Sequence, residues 1–417
     1  MKVKTARMDS SAYLQALDTE TDFTLRRAVE RLREGLFDPL AVRLLTAHED
    51  QLKQAVEGGV RALEAGQTPH LCICGAYGQG KSHSLTYIEA YARKAHFVTS
   101  FVNLDPREIP FHRFREVYRE LMAGLRFPDT DDAFPKTWRT WALRQLHRRG
   151  ELQNGVADLI PDDMPHLFRS VLAAMAQPTV SLTERQRKTK KHARYRPREF
   201  PSLLDRALAG DVVPVYRLWH ALKYRQVAFY RDASLMCRGD APYLQMIRSL
   251  ARLFRQMGYR GWVLLFDEGE AIAQVPVSMR RKSYRLLHQL FYPDAPAQGL
   301  YPIFGFTDDF FQRVEDEDYH RVQQQGEEEI PYFDRNYAEA WRTLTRYELE
   351  DLSQKDWEAL SEMLILLHAC AYRWQPPEAQ ARRALQTRLA QQPAHETRYK
   401  LKALVDELDL LYQEQVF

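Results

Sequence analysis

Residues 75–82, Gly75-Ala76-Tyr77-Gly78-Gln79-Gly80-Lys81-Ser82, constrain this chain more than any other stretch. They match G-x-x-x-x-G-K-[ST], a loop that works in one context, after a buried strand and before a helix. Both neighbours are legible. His70-Leu71-Cys72-Ile73-Cys74 is a short apolar run, and the residues from Lys81 to Ala90 have helical periodicity. Glycines let the backbone turn so that successive N–H groups converge on an anion, and the following helix adds its positive dipole end. Lys81 is suited to the β- and γ-phosphates of a nucleoside triphosphate, and the Ser82 hydroxyl to Mg²⁺. The expected ATP contacts are therefore Gly75, Ala76, Tyr77, Gly78, Gln79, Gly80, Lys81, Ser82 and the adjoining His83. Tyr77 either covers the phosphates or faces solvent, and His83 either lines the pocket or packs its helix.

The other half of such a site is a second buried strand that ends in acid. Trp262-Val263-Leu264-Leu265-Phe266 runs into Asp267-Glu268. Asp267 is expected to hold Mg²⁺ through its water shell, and Glu268 to activate the attacking water. Glu270, a third carboxylate, reads as the ion-pair partner of Arg260 or of a neighbouring helix. A further strand, Tyr301–Phe306, leads to Thr307. In an open parallel sheet the carboxyl ends of the strands line the ligand crevice. Thr307 is thus the candidate for contacting the γ-phosphate or the water, with a helix N-cap before Asp309 as its other reading.

Organisation along the chain follows from the same patterns. Residues 1–66 read as an N-terminal helical segment, with Leu25, Ala28, Val29 and Leu32 at helical spacing and a second pattern after Asp38-Pro39. Residues 67–345 form the ATPase core, with Phe97–Asp105 as its second strand, a helix over 278–291, and a mostly helical insert at about 106–255. Residues 346–417 form a C-terminal helical lid that closes with Leu401, Leu404, Val405, Leu408 and Leu411. Strands alternating with helices specify an α/β fold, a parallel P-loop sheet flanked by helices.

Charge and cysteine usage add limits. The net charge is +3, but residues 185–198 hold eight Lys or Arg and no acid; without them the chain stands at −5. That run, with Tyr195 inside it, reads as a double-stranded DNA or RNA contact, a solvated loop or a protein contact. The four cysteines fit a reducing compartment, and Cys72 and Cys74 share one strand face as buried thiols without a second pair for zinc. No apolar run is long enough to span a membrane and no signal-like h-region opens the chain, so the expected location is cytoplasmic.

The order of P-loop, second strand, acid-ended strand, polar-ended strand and helical lid resembles AAA+ ATPases. More specifically, the chain resembles the ATP-binding proteins of BREX-type phage-defence systems. The resemblance rests on Leu32-Arg-Glu-Gly35, Ala41-Val-Arg43, Gly75–Ser82, Met257–Ile272 with its Gly-Tyr-x-Gly lead into Asp267-Glu268-Gly269-Glu270, and Gly299–Thr307. It implies ATP-dependent work beside DNA, in a homo-oligomer and alongside a helicase-like or nuclease partner. Arg313, Arg321, Arg335 and Arg398 follow the polar-ended strand, where such proteins often carry an arginine that completes an ATP site; their other reading is surface ion pairing. Two functions are expected to compete: an oligomeric ATPase that remodels a DNA-bound complex, and a slowly hydrolysing, nucleotide-gated scaffold that recruits partners.

Overall fold

The computed structural model describes residues 10–36, 38–149, 155–176, 199–225, 227, 235–317, 322–325, 328–392 and 397–416. The basic run 185–198, with Tyr195, lies outside the described residues, as does Arg321. Among the described residues there are eight strands: β1 Leu71–Cys74, β2 Val98–Asn103, β3 Leu125–Arg126, β4 Trp262–Asp267, β5 Leu300–Phe306, β6 Val322–Gln325, β7 Glu328–Pro331 and β8 Arg346–Glu348. Six of them build one sheet in the order β3-β2-β4-β5-β1-β8, and β6 and β7 form a separate antiparallel ribbon. Within the sheet only the β2–β3 pairing is antiparallel. The fold is α/β, with a mostly parallel sheet flanked by helices.

Four helices precede β1: α1 Ser10–Asp18, α2 Asp22–Arg33, α3 Pro39–Leu45 and α4 Glu49–Glu64. The P-loop helix is α5, Lys81–Lys94. Between β2 and β4 the insert supplies α6 Phe114–Ala123, α7 Phe134–Arg149, α8 His166–Ala176, α9 Phe200–Leu208, α10 Val215–Tyr224 and α11 Ala241–Gln256. Then come α12 Val277–Phe291, α13 Asp309–Glu317 and α14 Tyr337–Ala340, and after β8 the chain continues as α15 Gln354–Tyr372, α16 Glu378–Ala390 and α17 Thr397–Val416.

Alternation along the strands splits the sheet's side chains between two cores. Leu71 and Ile73 of β1, Val263 and Leu265 of β4, and Tyr301 and Ile303 of β5 face α4 and α5. Cys72, Cys74, Trp262, Leu264, Phe266, Phe304 and Phe306 face the insert and α12. Both faces are covered, so these strands read as nearly continuous apolar runs. Each fully buried Leu, Ile or Phe contributes about 1.5–3 kcal/mol. On the insert side the aromatics stack: Phe266 and Phe304 have ring centroids 4.3 Å apart, as have Phe306 and Phe310. Trp262 buries its indole without losing its hydrogen bond, because Nε1 donates to Ser100 Oγ at 3.0 Å.

A third core joins the two ends of the chain. Tyr13, Leu17, Leu25 and Val29 pack with Trp357, Leu360, Leu364, Leu404 and Leu408. The contact is pinned by polar groups. Arg33 donates twice to Asp409, from Nε at 2.7 Å and from a terminal nitrogen at 2.8 Å. The buried His368 accepts from Trp374 Nε1 at Nδ1 (2.9 Å), so its proton sits on Nε2 and is donated to Asp409 at 3.0 Å. β8 begins at the residue where the sequence reading starts the lid, and it pairs with β1.

Helix α4 tests how tightly the sheet is covered. A Cβ on Gly59 would come within 2.2 Å of the buried Tyr301 ring, whereas one on Gly58 would meet nothing within 4 Å. Gly58→Ala should therefore stabilise the protein by about 1 kcal/mol through helix propensity. Gly59→Ala, the same exchange one residue on, should destabilise it by about 1–3 kcal/mol through overpacking. Denaturation midpoints of the two variants will move in opposite directions; equal shifts would contradict the packing described.

Candidate active site

The phosphate loop grows out of β1. Gly75 N donates to Phe306 O at 3.3 Å, continuing the ladder by one step before the chain turns. Gly78 and Gly80 then take left-handed backbone angles, φ +83° and +105°, which L side chains rarely adopt. The turn starts α5 at Lys81. The Lys81 ammonium is buried and crosses the loop to donate to the carbonyls of Gly75 at 2.9 Å and Ala76 at 3.0 Å. Two neutral acceptors thus hold a full positive charge over the concavity, where an anion would be its natural partner. Gln79 braces the loop, accepting from Ala76 N at 2.6 Å and donating to Asp351 at 2.7 Å.

The acids come from β4, which is not the neighbour of β1. β5 lies between them. At their carboxyl ends the three strands meet at Gly305. A Cβ there would stand 3.2 Å from Leu85 Cδ1, 3.3 Å from Asp267 Oδ1 and 3.7 Å from Lys81 Cβ, so Gly305 is what lets the P-loop helix and the acidic strand approach. Asp267 is buried, and its Oδ1 accepts from Glu268 N at 2.9 Å. Glu268 itself has φ +55°, a left-handed conformation that a glutamate adopts at a cost of about 1–2 kcal/mol. The Asp267 carboxylate holds the backbone in that state and thereby sets the direction in which Glu268 leaves the strand.

Glu270 is not the partner of Arg260 that sequence reasoning favours. Arg260 pairs with Glu64 across the far end of the sheet. Glu270 instead lines the same cavity as Lys81 and Glu268. Its Oε2 is buried and no donor meets it among the described residues. Burial, followed by the adjacent Glu268 carboxylate, lifts its pKa above the ordinary range against the pull of Lys81. No sequence signal separates Glu270 from a surface acid, because Arg260 precedes the same strand.

The cavity measures about 230 Å³. Its floor is the P-loop from Tyr77 to Ser84, with Glu268 and Glu270 at one end. Leu32, Val42, Leu45 and Leu52 from the N-terminal helices and Leu349, Leu352 and Leu401 from the C-terminal region give it an apolar wall. Tyr77, 75% exposed, faces solvent at the rim. His83 lies in the wall, its Nε2 2.9 Å from Thr46 Oγ1. Thr46 Oγ1 spends its own proton on Val42 O, so His83 Nε2 is the donor, and burial pushes the ring's pKa down to about 4. The ring is therefore neutral.

The remaining candidates separate cleanly. Arg398, at the start of α17, lines the cavity and packs near Gly35. Arg313 pairs with Asp309 at 3.9 Å and Arg335 contacts His288, both away from it. Thr307 is half-buried just past β5; its carbonyl accepts from Phe310 N at 3.1 Å, and it stands outside the cavity walls.

The residues present fit a nucleoside triphosphate with a divalent cation. The charged lysine waits on neutral carbonyls, the loop offers a concave backbone, and an unsatisfied carboxylate oxygen faces the same space. Ser82 and Asp267, the hydroxyl and carboxylate expected to hold Mg²⁺, belong to the two elements that converge at Gly305.

Among solved structures, the chain is similar to the Walker-type ATPase PABY2304 of Pyrococcus abyssi, with 12% sequence identity, a TM-score of 0.37, and coverage of 88% of this chain and 74% of that one. No curated protein matches. The family model of BREX system ATP-binding proteins BrxC/D matches residues 24–183 and 237–417, on both sides of a segment that contains the basic run, α9 and α10. That match takes in the N-terminal wall, the P-loop, the acidic strand and the lid, and the chain belongs to the BrxC/D family of BREX system ATP-binding proteins.

Proposed function

We propose that this ATP-binding protein hydrolyses ATP in the cavity described, as an oligomer working beside DNA in phage defence. The observation that carries the reading is the convergence of Lys81 and Asp267 on Gly305, with Glu268 held in a left-handed turn by Asp267. In this reading the apolar wall takes the base, the P-loop backbone and Lys81 take the phosphates, and Glu268 removes a proton from the attacking water. Ser82, and Asp267 through water, would hold a magnesium ion, which would supply positive charge to the phosphates. Arg398 reaches the phosphates from the lid side, and Thr307 orients the water when the nucleotide draws the end of β5 inward. Glu270 keeps a second carboxyl beside Glu268.

A second reading, the nucleotide-gated scaffold, draws support from the way the lid is tied to the loop. Gln79 bonds Asp351, and His48 Nε2 lies 3.2 Å from Asp356 Oδ2 of α15. Nucleotide in the loop would act directly on the lid under either reading, and the two differ in turnover.

Four measurements test the proposal, and turnover separates its two readings. Lys81→Ala should weaken binding of a fluorescent ATP analogue by about ten- to a hundredfold, the worth of a charge-assisted hydrogen-bond pair. Glu268→Gln should bind as the parent does but hydrolyse about 10²–10⁴-fold more slowly. Parent-like turnover in that variant would remove Glu268 as the base, and tight binding with negligible turnover in the parent would favour the scaffold. Specific activity that rises with protein concentration supports the oligomer. Deleting 185–198 should weaken affinity for double-stranded DNA and flatten its salt dependence; an unchanged slope would retire that contact.

A further inference from the structure

Charge is distributed over this molecule far more unevenly than its total suggests. Residues 106–255 carry 28 Lys and Arg against 16 Asp and Glu, a net +12 in a chain whose total is +3, which leaves −9 on everything else. Only eight of those cations belong to the run at 185–198. The others sit largely on helices, and two outer helices of the insert carry cations with no acid at all. α7 holds Lys136, Arg139, Arg144, Arg148 and Arg149, and α10 holds Arg217 and Lys223.

Both helices pack on α8, whose Phe168, Val171, Leu172 and Ala174 are fully buried in the insert core. Their outward faces are exposed at Arg139, Arg144, Arg148, Arg217 and Lys223. Two acids of the insert are engaged elsewhere: Asp132 pairs with Lys136, and Asp211 takes Arg119 and Arg206. Positive charge on α7 also reaches the end of α10. Arg225, just past the end of α10, has its pKa lowered by burial and then by the positive charge of Arg139 on α7. Folding brings cations together here instead of spreading them, an arrangement that favours a polyanion over bulk salt.

α10 adds a second kind of group. Val215, Tyr216 and Trp219 lie at helical spacing and stay exposed, Tyr216 at 62% and Trp219 at 39%, with the exposed Val212 just before the helix. Arg217 Nε donates to Tyr216 Oη at 3.2 Å, and the Lys223 ammonium lies 5.0 Å from the Trp219 ring centroid. Aromatic faces interleaved with cations suit a nucleic-acid strand, whose unpaired bases stack while its phosphates are neutralised.

We propose that the outer surface formed by α7 and α10 binds single-stranded nucleic acid, with Arg139, Arg144, Arg148, Arg217 and Lys223 on the phosphates and Tyr216 and Trp219 beneath the bases. The surface extends the DNA-linked part of the proposed function to these two helices, and it does not depend on hydrolysis in the ATP cavity.

The test uses the full chain and a fluorescein-labelled oligothymidine, read by anisotropy across a salt series. Arg144→Glu combined with Arg148→Glu should weaken binding at least about tenfold and make the salt slope shallower by roughly 0.7 for each phosphate that is no longer neutralised. Tyr216→Ala combined with Trp219→Ala should weaken binding by about five- to a hundredfold with the slope unchanged, and should leave affinity for a duplex of the same length intact. ATP-analogue affinity, measured on every variant, should match the parent and reports on folding and on the nucleotide reading separately. Parent-like oligothymidine binding in both double variants would overturn the proposal, as would a loss seen only on deleting 185–198. If the charge-reversed variant loses self-association but keeps oligothymidine affinity, the surface instead meets the acidic remainder of a second copy, and the proposal fails.

Discussion

The functional end of this molecule depends on one close approach, the passage of β5 between the P-loop strand and the acid-bearing strand. β1 and β4 each hydrogen-bond to β5 and not to each other. A Cβ on β5 at this level would stand 3.2 Å from Leu85 and 3.3 Å from the Asp267 carboxylate, so both would have to give way. Glycine at position 305 removes that obstacle, and Leu85 of α5 packs into the space. The stacked Phe266, Phe304 and Phe306 rings hold the same strand ends from the opposite face. Strand register, helix position and the direction of Glu268 all follow from this fit. Preorganisation of this kind is what lets charged groups act on a reacting phosphate without further rearrangement.

The cavity beside that junction is assembled from parts of the chain that are remote in sequence. The loop supplies floor and charge, while the apolar wall is shared between helices near the amino end and the C-terminal region. Leu32, Leu45, Leu352 and Leu401 of the wall sit on the core that α1 and α2 make with α15 and α17, while Val42, Leu52 and Leu349 sit on the core that α4 and α5 make with the sheet, so the shape of the cavity is coupled to packing in both. Asp38 illustrates the link: it caps α3 through Leu40 N at 2.8 Å, receives Arg27 at 2.9 Å, and lines the cavity.

How much is legible in sequence follows from the range of each interaction. Buried parallel strands announce themselves as apolar runs, and β1, β2, β4 and β5 lie where those runs are. β8 is not legible, because Arg346-Tyr347-Glu348 is polar and three residues long, and it is a strand only through pairing with β1. β3 is shorter still. The P-loop and the Asp267-Glu268 pair are local patterns with a mechanism attached, and the fold brings both to one edge. Glu270 escapes a reading from sequence because an acid's partner is decided by tertiary geometry, in this case by the short helical turn Gly269–Ile272 that carries it back toward Lys81. The four arginines look equivalent in sequence for the same reason. Of the three that are described, only Arg398 is carried to the cavity, by a helix whose docking surface, α2, lies more than 360 residues earlier in the chain.

The core that joins α1 and α2 to α15 and α17 also has a consequence in time. Residues near the amino end leave the ribosome first, yet Leu25 and Val29 have only α3 and their near neighbours to pack on until Trp357, Leu364 and Leu408 exist. At roughly 5–20 residues per second, the roughly 300 residues between them represent roughly 15–60 s of synthesis. During that interval the amphipathic α2 stands exposed while the sheet and insert form beside it. The cavity, whose walls come from residues 32–52 and 347–401, therefore closes only after α17 has begun to form, long after the P-loop that makes its floor.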